Sequence, residues 1–218
     1  MIRRYMLLIL VGLYTGACNV SQPTRTCDEV SARVLRIIME QPGSPEVVRR
    51  QIADGYGLTQ EQVLMTSRAN ETYYQWTKDD VDGNARIGSV NPTKAGLYYR
   101  SRPPAVATVI GCLGTPDFYR AYYQRGGPEV SWNSLELHLY FARQGIAAAA
   151  YVKSSGKEPP RLNIDLSVQD FGFVPVGSLD DTMARLNENY STEFRKQIKS
   201  WPGKLEDVII EIDPGLTR

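Results

Sequence analysis

The stretch SLELHLYFARQGIAAAAYV, residues 134–152, decides the fold class. In residues 134–141, leucine or phenylalanine alternates with Glu136, His138 and Tyr140, which is the period-two pattern of a half-buried strand. Residues 143–145 form a polar turn that contains a glycine, and residues 146–152 are apolar enough to return as the paired strand. The segment therefore predicts an antiparallel hairpin with one apolar face and one polar face.

Other segments carry weaker strand patterns. Residues 72–77, 86–90 and 97–101 are rich in aromatic and β-branched residues, and the turn-forming sequences at 82–84 and 91–96 separate them, so they predict a small meander. Further strands are expected at residues 118–123, 161–168 and 208–212.

Helices are predicted from capping signals. Thr26 and Glu29 have the spacing of a capping box before an apolar helical pattern that ends at Pro42. Other helices are expected at residues 45–55, 59–63, 105–113, 179–186 and 192–200. Together, the strands and helices predict an α+β fold, with antiparallel sheet and packed helices, over a globular domain at residues 27–218.

An internal repeat is a further hypothesis. Residues 45–55 and 104–114 each run from a proline to a glycine, 59 positions apart, and an aromatic-rich antiparallel region follows each of them. The repeat predicts two helix-plus-meander units, at residues 27–102 and 103–218. The alternative is coincidence, because helices that start at proline and stop at glycine are common.

The N-terminus has the architecture of an export signal. Arg3 and Arg4 precede a short apolar stretch, and Thr15-Gly16-Ala17 places small residues before Cys18. The arrangement resembles the lipobox of bacterial lipoproteins, although Thr15 stands where leucine is usual. It implies a signal peptide at residues 1–17, a lipid on Cys18 and a tether at residues 18–26. An ordinary signal peptide is one alternative. A membrane-spanning helix is another, but it needs about 20 apolar residues and this stretch is shorter.

The mature chain would be held at a membrane surface and would be nearly neutral. Extended, residues 19–26 reach at most about 28 Å, so the domain would lie close to the outer face of the cell membrane or to the outer membrane. Without Arg3 and Arg4 the chain has 23 basic and 24 acidic residues, so it lacks the excess of positive charge that is typical of nucleic-acid-binding proteins. If Cys18 is lipidated, Cys27 and Cys112 can form a disulfide after export. The alternative is that Cys112 is a buried small hydrophobe.

The segment 109–117, with its Leu113-Gly114-Thr115-Pro116 turn, and the hairpin that follows carry a family resemblance. They are similar to the helix, Leu-Gly-x-Pro turn and strand pair of small envelope lipoproteins of the SmpA/OmlA (BamE-like) type, over about 50 of the 218 residues. That resemblance implies a non-catalytic binding or assembly module with a protein partner in the envelope and no cofactor.

Catalytic and metal signatures are weak in this sequence. His138 is its one histidine, so a catalytic triad or a metal pair with Glu136 lacks further partners. Asp80, Asp82 and Asn84 alternate as in a calcium loop, but Ala85 and Asn91 occupy the positions that need glycine and glutamate. We therefore predict no catalytic residue and no metal ligand. A hydrolase that uses Glu136 and Asp82 remains the alternative function.

Three tyrosine pairs, at residues 73–74, 98–99 and 122–123, are candidates for a binding surface. Adjacent residues of a strand point to opposite faces, so each pair directs one ring outward. Tyr73, Tyr99 and Tyr122 are the candidates for that surface, which would meet a protein partner or a cell-wall glycan. The alternative is that the tyrosines pack into the core.

Overall fold

The computed structural model describes residues 26–88, 93–124, 134–153, 161–163, 165–187 and 190–212. The helices in these ranges are α1 (Cys27–Ser31), α2 (Arg33–Glu40), α3 (Pro45–Tyr56), α4 (Val106–Leu113), α5 (Leu179–Leu186) and α6 (Thr192–Gln197). The strands are β1 (Leu64–Arg68), β2 (Glu71–Lys78), β3 (Val81–Gly88), β4 (Lys94–Tyr99), β5 (Phe118–Gln124), β6 (Ser134–Phe141), β7 (Ile146–Lys153), β8 (Val168–Phe173), β9 (Lys199–Ser200) and β10 (Glu211–Ile212). The predicted signal peptide and Cys18 lie outside the described residues.

The ten strands form one sheet in the order β1-β2-β3-β4-β8-β7-β6-β5-β10, and β9 also pairs with β5. All pairs are antiparallel except β10 with β5. Helices pack on this sheet, so the predicted α+β class is confirmed.

The hairpin at the centre of the prediction forms as expected. Strand β6 spans Ser134–Phe141 and pairs with β7 along its full length, from Ser134 opposite Lys153 to Phe141 opposite Ile146. The leucines of β6 are at most 1% exposed. The connection is a short 3₁₀ turn that ends at Gly145, whose φ of 67° lies in the left-handed region that glycine adopts readily.

Two helix-plus-meander units share this sheet. Helix α3 precedes β1–β4 and α4 precedes β5–β8, and the units meet where β4 pairs with β8. The described parts of residues 27–102 and 103–218 therefore contribute to one continuous sheet and one main core, in which side chains of α1–α4 pack against one face of the strands. We call this the core face and the opposite one the open face.

A disulfide joins the two units. Cys27, at the first residue of α1, is bonded to Cys112, in the last turn of α4, across 85 positions of sequence. The capping box that starts α1 is present: the Glu29 amide donates to Thr26 Oγ1 and the Thr26 amide donates to the Glu29 carboxylate. The capping box at Thr26 thus starts α1 at Cys27, where the disulfide to Cys112 can link α1 to α4.

Glycine within a strand accounts for one wrong prediction. Residues 82–84 do not form a turn but lie inside β3, and the turn is at Asp79, whose φ is 52°. A Cβ on Gly83 would lie 2.0 Å from the ring of Trp76 on β2, so this position needs glycine to accommodate the buried indole. The glycine at position 83 is therefore required by packing within β3 and does not indicate a turn.

Other boundaries differ from the sequence prediction. The sequence predicts a strand at residues 161–168, but the strand starts at Val168. The backbone before it hydrogen-bonds to the first turn of α4 instead, since the Leu166 carbonyl accepts from the Val106 amide at 2.7 Å. Helix α3 ends at Gly57 (φ 61°) rather than Gly55, and the first helix is broken at Ala32 (φ 42°). Strand β1 was not predicted, and β10 covers two of the five residues expected at 208–212.

Candidate functional site: the open face of the sheet

The open face differs between the two units. Over β5–β7 it is covered by α5 and α6, since Met183 and Leu186 form a second apolar cluster with Tyr140, and Phe118 and Ala147 pack against it. In the part of the chain that the structure describes, no helix packs on the open face of β2–β4. The register places on that uncovered area the polar and aromatic side chains of Tyr73, Gln75, Thr77, Asp82, Asn84, Arg86, Lys94 and Tyr98, and the neighbouring strand β8 adds Asp170.

A hydrogen-bonded cluster lies on the open face of β5 and β6. The Tyr122 hydroxyl donates a short hydrogen bond to the Glu136 carboxylate, and His138 Nε2 lies 3.3 Å from the same oxygen. Burial alone would raise the pKa of Glu136, but hydrogen bonds from His138 and Tyr122, with the positive charge of Arg120, hold it below the usual 4.5. Glu136 is therefore an ionised carboxylate whose partners are supplied by the fold.

Helix α6 closes this cluster on one side. The guanidinium of Arg120 lies over the Tyr122 ring, 4.1 Å from its centroid, and over the Phe194 ring of α6, at 4.8 Å. The imidazole of His138 stacks parallel to Tyr122, with centroids 5.8 Å apart. Arg120 thus joins the cluster of Tyr122, Glu136 and His138 to α6, so we interpret the cluster as a structural network that holds α6 on the sheet.

Asp170 on β8 has a different environment. Burial raises its pKa above the usual 3.8, and the hydrogen bond from the Tyr151 hydroxyl and the electrostatic interaction with His138 offset this in part. Burial, with the negative charges of Asp170 and Glu136, also raises the pKa of Tyr151. Asp170 is thus a half-buried carboxylate whose charge is less well compensated than that of Glu136.

The three tyrosines proposed from sequence do not share a surface. Tyr73 is partly exposed on the open face, but Tyr99 is 2% exposed on the core face and Tyr122 is 8% exposed inside the polar cluster. The face assigned to Tyr99 is therefore wrong, and Tyr98, 45% exposed, is the member of that pair on the open face. The alternation of Ala95, Leu97 and Tyr99 as buried residues is the sequence signal that could have identified Tyr98.

The carboxylates proposed for hydrolysis are far apart. Glu136 on β6 and Asp82 on β3 are separated by four strand spacings, or about 19 Å, whereas glycosidases place their carboxyl groups within about 10 Å. Glu136 and Asp170 are two spacings apart, and Tyr151 lies between them, paired with Glu136 in register and hydrogen-bonded to Asp170. Asp82 lines an open depression of about 600 Å³ with Gln75, Thr77 and Asn84, but neither Glu136 nor Asp170 lines it.

The aspartates that alternate as in a calcium loop form hydrogen bonds within the fold instead. Asp80 is buried and accepts from the Arg102 amide at 2.9 Å and from the Ser101 hydroxyl, so it fixes the end of β4. Asp82 accepts from the Thr77 hydroxyl at 2.8 Å. Among the described residues, no three or more metal-ligating side chains come together.

Comparison with known proteins adds no relative. No family model, curated protein or solved structure matches this chain. Within the described ranges, none of the helices has the length and apolar character needed to span a membrane.

Proposed function

We propose that this protein is an exported lipoprotein, anchored through Cys18, that acts as a non-catalytic binding or assembly module of the cell envelope. Its open face, over β2–β4 and β8, meets a protein partner. The proposal combines the lipobox-like N-terminus with the one-sided covering of the sheet, and the local resemblance to small envelope lipoproteins supports the same role.

The observation that carries the proposal is the contrast between the two halves of the open face. The chain covers β5–β7 with its own helices and buries apolar residues there. The uncovered area has instead an exposed aromatic ring, Tyr98, among side chains of both charges, including Arg86, Lys94 and Asp82. Interfaces with proteins are typically of this mixed kind, with tyrosine as an anchor and a charged rim.

Glycan binding and hydrolysis are the alternatives. A cell-wall glycan would be expected to stack on exposed aromatic rings, and Tyr98 is the one ring among the described side chains that is more than about a third exposed. Hydrolysis would require a pair of accessible carboxylates, which the positions of Glu136 and Asp82 do not provide. We therefore favour a protein partner.

Affinity purification from solubilised cell envelopes tests the proposal. Gln75 and Asn84 are exposed on the open face, so Gln75→Arg and Asn84→Arg should deplete a co-purifying protein without affecting the fold. Gln41→Arg, an equally exposed change at the end of α2, is the matched control and should retain the partner. Equal recovery from all variants would contradict the proposal, and retention on purified cell-wall glycan would favour the alternative.

The anchor is tested separately. Wild-type protein should partition into the detergent phase, and Cys18→Ala should move to the aqueous phase. Detergent partition that does not depend on Cys18 would exclude the lipid at this position.

A further inference from the structure

Tyr98 and Asp170 are neighbours on the uncovered part of the open face. They are directly opposite each other in the pairing of β4 with β8. Side chains paired in this way have Cβ atoms about 4.5–5.5 Å apart on the same face. The ring of Tyr98 is 45% exposed. An accessible aromatic ring therefore lies beside a carboxylate.

Among the described residues no lysine or arginine pairs with Asp170, and the basic group that acts on it is His138, two strands away on β6. Two carboxylates with mostly buried side chains do pair with an arginine: Asp80 with Arg102 at 3.4 Å and Asp117 with Arg143 at 3.1 Å. The donor to Asp170 is a neutral hydroxyl, that of Tyr151, and burial raises the pKa of Asp170. A half-buried carboxylate that forms no direct ion pair is costly to the folded protein, and a cation from outside would lower that cost.

The backbone beside this pair is bare. Gly96 and Gly172 are opposite each other two residues from Tyr98 and Asp170, and neither has a side chain to fill the face. A Cβ on Gly172 would meet nothing within 4 Å, so the space above it is open. The amide of Asn84 borders Gly96, since a Cβ there would lie 3.3 Å from its nitrogen. A side chain from a partner can therefore approach between the two strands.

The nearest basic groups of this face are already engaged or distant, and His138 lies against Glu136 and Tyr122. Arg100 pairs with Asp82 at 3.4 Å and donates to the Asp79 carbonyl at 2.7 Å. Lys94 is four residues from Tyr98 along β4, which is about 13 Å for a strand. The charge of Asp170 is thus available to a ligand.

We propose that Tyr98, Asp170 and the bare backbone at Gly96 and Gly172 receive a basic side chain, lysine or arginine, of the protein partner. The cation lies against the Tyr98 ring and pairs with the Asp170 carboxylate, a combination of cation–π contact and charge-assisted hydrogen bonding. This inference rests on the proposed function, because it identifies the chemistry of the partner at the open face.

A ligand-observed NMR titration of the full mature protein in detergent tests the site. The probes are the peptides acetyl-Gly-Arg-Gly-amide and acetyl-Gly-citrulline-Gly-amide, which have side chains of nearly the same shape and differ in charge. We expect the arginine peptide to bind at least about ten-fold more tightly than the citrulline peptide. Equal affinities, or no binding of the arginine peptide, would overturn the inference.

Variants locate the site. Asp170→Asn and Tyr98→Leu should each weaken arginine-peptide binding at least about five-fold. Asp54→Asn, which removes the same charge from an exposed position of α3, should leave it unchanged. Urea unfolding of each variant verifies the fold, and unchanged binding by folded Asp170→Asn would refute the assignment.

The same variants separate this inference from the proposed function. If Gln75→Arg releases the co-purifying protein but folded Asp170→Asn retains it and shows no loss of arginine preference, the cationic site is wrong and the open-face function stands. If neither variant releases it, the proposed function fails as well.

Discussion

Removal of the Cys27–Cys112 disulfide is expected to destabilise the folded domain strongly. The bond closes a loop of 85 positions, and the chain-entropy relation for a loop of this length gives a free-energy contribution of about 4–5 kcal/mol. Measured values for native disulfides are about 2–5 kcal/mol, which is a large share of the roughly 5–15 kcal/mol that stabilises a typical domain. The effect is large because the bond joins the two helix-plus-meander units rather than neighbouring turns.

Urea unfolding of the mature protein in a Cys18→Ala background measures this contribution. With a slope of about 2 kcal/mol per molar urea, reduction should lower the unfolding midpoint by about 1–2.5 M. Comparison of the oxidised and reduced forms of the same chain isolates the cross-link, since no atom of the core is removed. The Cys27→Ala/Cys112→Ala variant should unfold near the reduced protein and should not respond to reductant.

Two results would refute this reasoning. Equal midpoints for the oxidised and reduced chains would show that the bond is not formed or does not constrain the unfolded state. A response to reductant that persists in Cys27→Ala/Cys112→Ala would show that the effect does not come from a disulfide, since this variant has no cysteine.

Further predictions concern glycines and carboxylates of the sheet. Gly83→Ala should lower the free energy of unfolding by about 1–3 kcal/mol because its Cβ would enter the Trp76 ring, whereas Gly172→Ala should be neutral or stabilising by up to about 1 kcal/mol; urea unfolding compares them, and similar losses would contradict this contrast. Glu136→Gln should cost about 1–3 kcal/mol at neutral pH, because its folded pKa is lowered, and this deficit should shrink as the pH falls through that pKa; a deficit independent of pH would be inconsistent with the ionised network. The pKa of Asp170 is raised in the folded protein, so ionisation of Asp170 should destabilise the fold as the pH rises through that pKa. Asp170→Asn should therefore stabilise the fold more at about pH 7 than at about pH 4. The reverse trend in thermal unfolding would contradict this prediction.

The elements that local patterns specify were predictable from the sequence. The 134–152 hairpin alternates without interruption, and β6 has the predicted bounds. Helix α5 also matches residues 179–186, since Ser178 accepts from the Asp181 amide and provides a clear cap. These signals are contained in fewer than twenty consecutive residues, so no distant part of the chain is needed to interpret them.

Features that depend on distant residues were not predictable. Gly83 lies in a strand because Trp76 of the neighbouring strand packs on it, and nothing in residues 82–84 reveals that contact. The proximity of Tyr98 and Asp170 requires β4 to pair with β8, over some 70 intervening residues that contain three other strands. The exposure of Tyr98 rather than Tyr99 also depends on which face the helices cover. Thus the candidate site is a product of topology, whereas the hairpin is a product of local sequence.

Site-specific photo-cross-linking in intact cells tests whether the open face meets a protein partner. A photoreactive amino acid is placed at Asn84 on the open face and, as a control, at Arg50 on the exposed side of α3. We expect a discrete cross-linked protein from position 84 and none from position 50. Cys18→Ala should reduce the yield of the cross-linked protein because it removes the anchor. Cross-links from position 50 alone, or from neither position, would contradict a partner at the open face.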